Sequence, residues 1–141
     1  MTPLDRGVLA ERAMAIERHL ARVADRLRAE SGDFRPATVA SDAVILHLWQ
    51  ATQIAIDLAI AACVALDLGA PATYADAFRR LEGAAVIDPR LAGTLVRAAG
   101  FRNVVAHAYD TLDMARVYRA AQQGPADLRA FLTALRARAL Q

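Results

Sequence analysis

Lysine is absent from this chain, and all 17 of its basic residues are arginine. That excludes Schiff-base catalysis and the lysine of a phosphate-binding P-loop. The cations that remain are permanently charged and grip phosphate through a planar fork. A GC-rich coding sequence gives the same bias, so the arginines alone assign no function. Cysteine occurs once, at Cys63, which rules out an internal disulfide. Its neighbours Ala61, Ala62, Val64 and Ala65 read it as a small buried apolar residue, in keeping with a reducing compartment. The three histidines, His19, His47 and His107, are far apart, with no His/Cys/Asp spacing of a zinc or di-iron site, so neither metal nor cofactor is expected. Met1 to Arg6 lack an apolar h-region, so no secretory signal is expected and the expected location is cytoplasmic. The formal net charge of +2 is too small to announce nucleic-acid binding by itself. Strand alternation is missing over any useful length, and no internal repeat is visible.

What is present in excess is hydrophobic side chain, 56% of the 141 residues. Much of it is alanine, which favours helix; the surplus also points to a buried oligomer interface. One domain of this size buries its own core. Leu9, Ala13, Ile16, Leu20, Val23 and Leu27 step by fours and threes, predicting a first helix from Pro3 or Asp5 to Ala29. Ser31-Gly32-Asp33 ends it. A second helix is predicted from an N-cap at Ser41 or Asp42 to Leu68. It is apolar enough to raise the question of a membrane span, but His47, Gln50, Gln53 and Asp57 interrupt it, and no membrane partner is expected. These four fall within about a third of the circumference at ~100° per residue, so one face meets something polar. A short helix from Tyr74 to Leu81 follows, then one opened by Asp88 and Pro89. Asp110-Thr111 recaps a helix from about Leu112 to Gln122, Gly124-Pro125 stops it, and a last helix runs from Ala126 to Leu140. The fold class is an all-α bundle.

The chemistry concentrates in Arg102-Asn103-Val104-Val105-Ala106-His107-Ala108-Tyr109-Asp110. Histidine supplies an acid or base with a pKa near ~6.5, and arginine a fixed charge for phosphate oxygens. Asn103 can orient a neighbour or bond a phosphate oxygen. Asp57, on the polar stripe, is a supporting candidate that reads equally as an interface hydrogen-bonding partner. The plainer alternatives are a helix-end His107 with a structural role, an Arg102 that pairs with Asp110 or Asp113, and a Tyr109 in the core. His19 and His47 read as structural. On a straight helix Arg102 and Tyr109 lie about 20° apart, whereas His107 is about 140° from Arg102. Two geometries reunite them: the helix unwinds near Ala108, or a second copy of the chain completes the site across a two-fold axis.

The block Ala99 to Asp110, with Gly100-Phe101 before Arg102-Asn103 and Asp110 after Tyr109, resembles the Arg-x4-His-x-Tyr signature of HepT-like toxins in the HEPN superfamily. Length and helix order match over nearly the whole chain, outside the block mainly as hydrophobic pattern. The resemblance implies one domain over residues 1–141, a HEPN-type bundle of two long antiparallel helices plus shorter ones, and a homodimer. It implies a metal-independent endoribonuclease of an MntA–HepT (type VII) toxin–antitoxin system, with RNA as substrate and Arg102 and His107 as catalytic residues. Tyr109 would be the AMP acceptor for an MntA-like nucleotidyltransferase antitoxin, whose added phosphates would block RNA. Many relatives carry glutamate between His and Tyr; here Ala108 stands there, so a weaker or differently pH-dependent activity is expected. Two alternatives remain open: a non-catalytic HEPN partner of a nucleotidyltransferase, and a purely structural helical dimer.

Overall fold

Leu9, Ala13, Ile16, Leu20 and Val23 form the buried edge of α1 (Arg6–Ala29), none more than 3% exposed. The arginines and Glu11 between them face outward, as the spacing demands. The computed structural model describes residues 5–29 and 34–140, so the expected stop at Ser31-Gly32-Asp33 lies outside the described residues. α2 (Val39–Ala65) packs antiparallel to α1 and supplies the centre of the core, from Val44 through Ala55 and Ile56 to Cys63. It also has the length and composition of a membrane span, yet half of its most apolar stretch is buried in the bundle. Cys63 is fully buried, and its thiol donates to the Ala77 carbonyl at 3.4 Å. Burial pushes that thiol's pKa up, so it is the inert apolar filler its neighbours predicted.

The cap of α2 corrects the sequence reading. Thr38, extended at φ −95° and ψ 161°, is the N-cap, and its hydroxyl accepts the Ser41 N–H at 3.0 Å. Ser41 returns the bond from the Thr38 N–H, also at 3.0 Å, closing a capping box. Ser41 is therefore the third helical residue rather than the cap, and Asp42 is left exposed with its carboxylate available. At the other end the helix stops at Ala65, short of Leu68, because Asp67 enters the left-handed region at φ 61°.

α3 (Tyr74–Gly83) is capped by Thr73, and α4 (Pro89–His107) by Asp88, whose carboxylate accepts the Leu91 N–H at 2.7 Å, with Pro89 in the first turn. The chain leaves α4 at Ala108 (φ −143°, ψ 42°) and makes a 3₁₀ turn over Tyr109–Thr111. α5 (Met114–Ala139) begins on Asp113. It runs unbroken through Gly124-Pro125, where two helices were expected. Proline removes an amide donor and crowds the Ala121 carbonyl, which costs an isolated helix ~3 kcal/mol. Here Val117 and Ala121 before it, and Leu128, Phe131, Leu132 and Leu135 after it, are all buried in the bundle. Burying each large side chain contributes about 1.5–3 kcal/mol, so packing outweighs the local break. Phe131 meets Phe78 of α3 edge-on at 5.6 Å, tying α5 across the core.

Candidate active site

Arg102 is half-buried and held on several sides. Its Nε donates to Gln53 Oε1 at 2.6 Å, and one terminal nitrogen donates to Asn103 Oδ1 at 3.3 Å. Its guanidinium carbon lies 5.2 Å from the ring centroid of Trp49 and 5.4 Å from that of Tyr74. Two aromatic faces, one from α2 and one from α3, thus hold the cation by its charge and its plane. Gln53 is itself fixed: its Nε2 donates to Asp57 Oδ1 at 3.0 Å. A carboxylate accepts only, so Asp57 sets which end of the Gln53 amide faces Arg102. The remaining guanidinium donors stay available for an anion.

The turn after α4 carries Tyr109 back toward α2, where its hydroxyl donates to Asp42 Oδ1 at 2.7 Å. Desolvation, then this hydrogen bond, then the charges of Asp42 and Asp110 push the phenol's pKa to about 12. Asp42, Ile45, Leu46, Trp49, Val105 and Tyr109 line a cleft of about 440 Å³. The Trp49 indole N–H is buried and has no acceptor among the described residues. An unpaired buried donor costs ~1–3 kcal/mol. His107, the last residue of α4, is exposed, and its ring has no hydrogen bond among the described residues. Val39, Leu46 and Val104 are 78%, 49% and 47% exposed, leaving uncovered apolar surface on the α2 and α4 segments that carry this site.

The HepT-like family, described as ribonuclease HepT-like, matches residues 16–135. The chain belongs to that family. Its fold is also that of a tri-AMPylated HEPN toxin from Shewanella oneidensis solved in complex with an MNT antitoxin. The TM-score is 0.86 at 24% identity, over 94% of this chain and 99% of that one. A toxin–antitoxin crystal structure with AMP-PNP matches with a TM-score of 0.86 at 23% identity, again over 94% and 99%. The cytosolic protein YutE of Bacillus subtilis, of unknown function, matches with a TM-score of 0.80 at 17% identity, over 97% and 92%. At these identities the likeness shows the fold alone. No curated protein is matched by sequence.

In this HepT-like chain the candidates read from the sequence are partly brought together. Arg102, Asn103 and, through Gln53, Asp57 form one network. Arg102 bonds Gln53 and Asn103 rather than Asp110 or Asp113, and Tyr109 is 44% exposed rather than core. The helix does end at Ala108, but that turn redirects Tyr109 and leaves His107 on α4, about 140° round from Arg102. Tyr109 is no longer on the helix, but the turn brings it, like Arg102, to the α2 face that carries Asp42, Trp49 and Gln53. The polar stripe of α2 also divides. Gln53 and Asp57 serve Arg102, whereas His47 turns to α1 and bonds His19, Nδ1 to Nδ1, at 3.0 Å. Sequence reading missed Asp42, Trp49, Gln53 as the direct ligand of Arg102, and Tyr74. Helical spacing offered one signal, since Asp42, Trp49 and Gln53 are seven and four apart and share a face of α2.

Proposed function

We propose that this HepT-like chain is a metal-independent endoribonuclease toxin, active as a homodimer and silenced by AMP transfer to Tyr109 from an MntA-like nucleotidyltransferase antitoxin. The observation that carries the reading is Arg102. It is held against Trp49 and Tyr74 and fixed by Gln53, with donors left over, and the same helix ends on an exposed His107. A guanidinium that is held before substrate arrives stabilises the extra charge of a phosphorane-like transition state without reorganising. The ribose 2′-oxygen attacks phosphorus, the bond to the 5′-oxygen breaks, and histidine takes the first proton and returns one to the leaving oxygen. Arg102 and His107 of one chain point to different sides of α4, which supports a site completed by a second copy. The exposed Val39, Leu46 and Val104 favour that docking.

Tyr109 suits the acceptor role because its hydroxyl is exposed and donates to Asp42, a carboxylate placed to receive the phenolic proton. In the transfer the phenolic oxygen bonds the α-phosphorus of a nucleoside triphosphate, pyrophosphate leaves, and the phenolic proton passes to the Asp42 carboxylate. The AMPylated relative in complex with an MNT antitoxin supports the partner class.

The deciding experiment is induced expression of the parent, His107→Ala and Arg102→Ala, with growth and total RNA followed together. Arrest with RNA fragmentation from the parent alone is expected. Harmless expression of all three as folded protein would leave a non-catalytic partner that presents Tyr109.

A further inference from the structure

Arg102 leans toward α2 and α3; on the side of α4 that faces α5 there is a second cleft, of about 740 Å³. Two packed helices leave such a space only where side chains are too small to fill it. Here the facing positions include Ala98 on α4 and Ala120 and Gly124 on α5, next to Pro125. The floor is apolar: Leu48, Leu95 and Leu128 are buried, with the half-buried ring of Phe101 beside them. The rim is cationic. Arg90 and Arg97, two turns apart on α4, and Arg116, on α5, line it and make no ion pair among the described residues. Arg97 donates only to the Thr94 hydroxyl, at 3.2 Å. Asp127 is the acid in the lining; burial pushes its pKa up, against the pull of Arg90 and Arg97. Gln122 and Gln123 add amide donors and acceptors at the edge.

We propose that this cleft between α4 and α5 is a nucleotide-binding site, taking a base on the floor of Leu48, Leu95, Phe101 and Leu128 and phosphate on Arg90, Arg97 and Arg116. Its volume lies in the range of small-molecule sites. An apolar and aromatic floor accepts the face of any base, and the arginine forks match phosphate oxygens. Arg90 and Arg97 are about 10 Å apart along the helix axis, so they engage different phosphates, whether of a free nucleotide's phosphate chain or of successive residues of RNA. The choice of a nucleotide over another anion rests on the RNA-cleaving reading; the cleft and its charges do not.

The test uses full-length His107→Ala protein, so that cleavage does not consume the probe, and follows fluorescence anisotropy of a short labelled oligoribonucleotide. Competitors are ATP, AMP, unlabelled RNA and inorganic phosphate. Two variants are added on that background: Arg90→Ala with Arg97→Ala, and Ala120→Leu, which fills the cleft without touching charge. The arginine pair is expected to weaken binding at least about tenfold and to lower the salt slope by about two. Ala120→Leu should weaken it about tenfold with the salt slope unchanged and the circular dichroism of the parent. Competition by ATP identifies a free nucleotide, and competition by RNA alone identifies a nucleotide within a chain; either supports the site. Full competition by inorganic phosphate, or unchanged binding in Ala120→Leu, would reduce the cleft to a surface charge and overturn the proposal. Binding in these terms by a parent that does not cleave RNA would sink the ribonuclease reading and keep the cleft. Cleavage by a parent whose binding ignores both variants would do the reverse.

Discussion

His107 and the His19–His47 pair place the same side chain in opposite circumstances. At the seam of α1 and α2, two imidazoles sit Nδ1 to Nδ1 at 3.0 Å, with ring centroids 5.3 Å apart. For both rings burial comes first in lowering the pKa. For His19 the next causes are His47 and Arg18; for His47 they are Arg22 and Arg26. Such a pair is held neutral and committed to each other. At the end of α4, His107 is exposed and its ring has no hydrogen bond among the described residues. An imidazole without a commitment is free to exchange a proton with a substrate. The comparison separates a histidine that belongs to the fold from one that the proposed reaction would use, and the separation can be tested at each end.

The largest effect is expected at His107. His107→Ala should lower RNA cleavage by purified protein about 10²–10⁴-fold, the usual range for a general acid–base group. Thermal unfolding should match the parent, because no fold contact is removed. An equal loss of stability and activity would place His107 with the other two histidines.

Next comes Arg102→Lys, which keeps the charge and discards the fork. A compact ammonium cannot hold both Gln53 and a phosphate in one plane, so cleavage should fall about 10²-fold. Parent-like rates in the lysine variant would mean that charge alone suffices and that the clamp of Trp49 and Tyr74 has no bearing on turnover.

Asp42→Asn addresses the other chemistry of the same cleft. Asparagine still accepts the Tyr109 hydrogen bond through its carbonyl but takes no proton. AMP transfer to Tyr109 by a cognate nucleotidyltransferase should slow about tenfold or more, and RNA cleavage should change little. Unaltered transfer, read by intact mass, would show that the base comes from the transferase.

The core was largely legible, and the reason is local. The stripe of α1, the apolar face of α5 and the Asp88-Pro89 start of α4 each depend on neighbours within a turn or two. The site was legible only where it too is local, in the run from Arg102 to Tyr109. The clamp of Arg102 is assembled from α2 and α3, so Tyr74 carries no mark in the sequence beyond being aromatic, and Trp49 only the α2 face it shares with Asp42 and Gln53. Local signals also failed where packing overrules them. Gly124-Pro125 reads as a stop, yet α5 passes through because both of its halves bury into one bundle. The division of the α2 stripe had no sequence signal at all, since His47 turns away only because His19 stands opposite.

That last point yields the smallest expected effect and a clean sign. Both rings have folded-state pKa values below the ordinary ~6.5 of a free histidine. As pH falls through that value, the unfolded chain takes up protons that the folded seam resists. Stability is therefore full above about pH 6.5 and declines as pH falls toward the lowered folded values. His47→Gln removes one titrating ring, and with it the repulsion that a charged His19 would meet. Urea unfolding between roughly pH 7.5 and 5.5 should show a shallower decline for His47→Gln than for the parent. A decline in His47→Gln as steep as the parent's would show that the seam does not resist protonation.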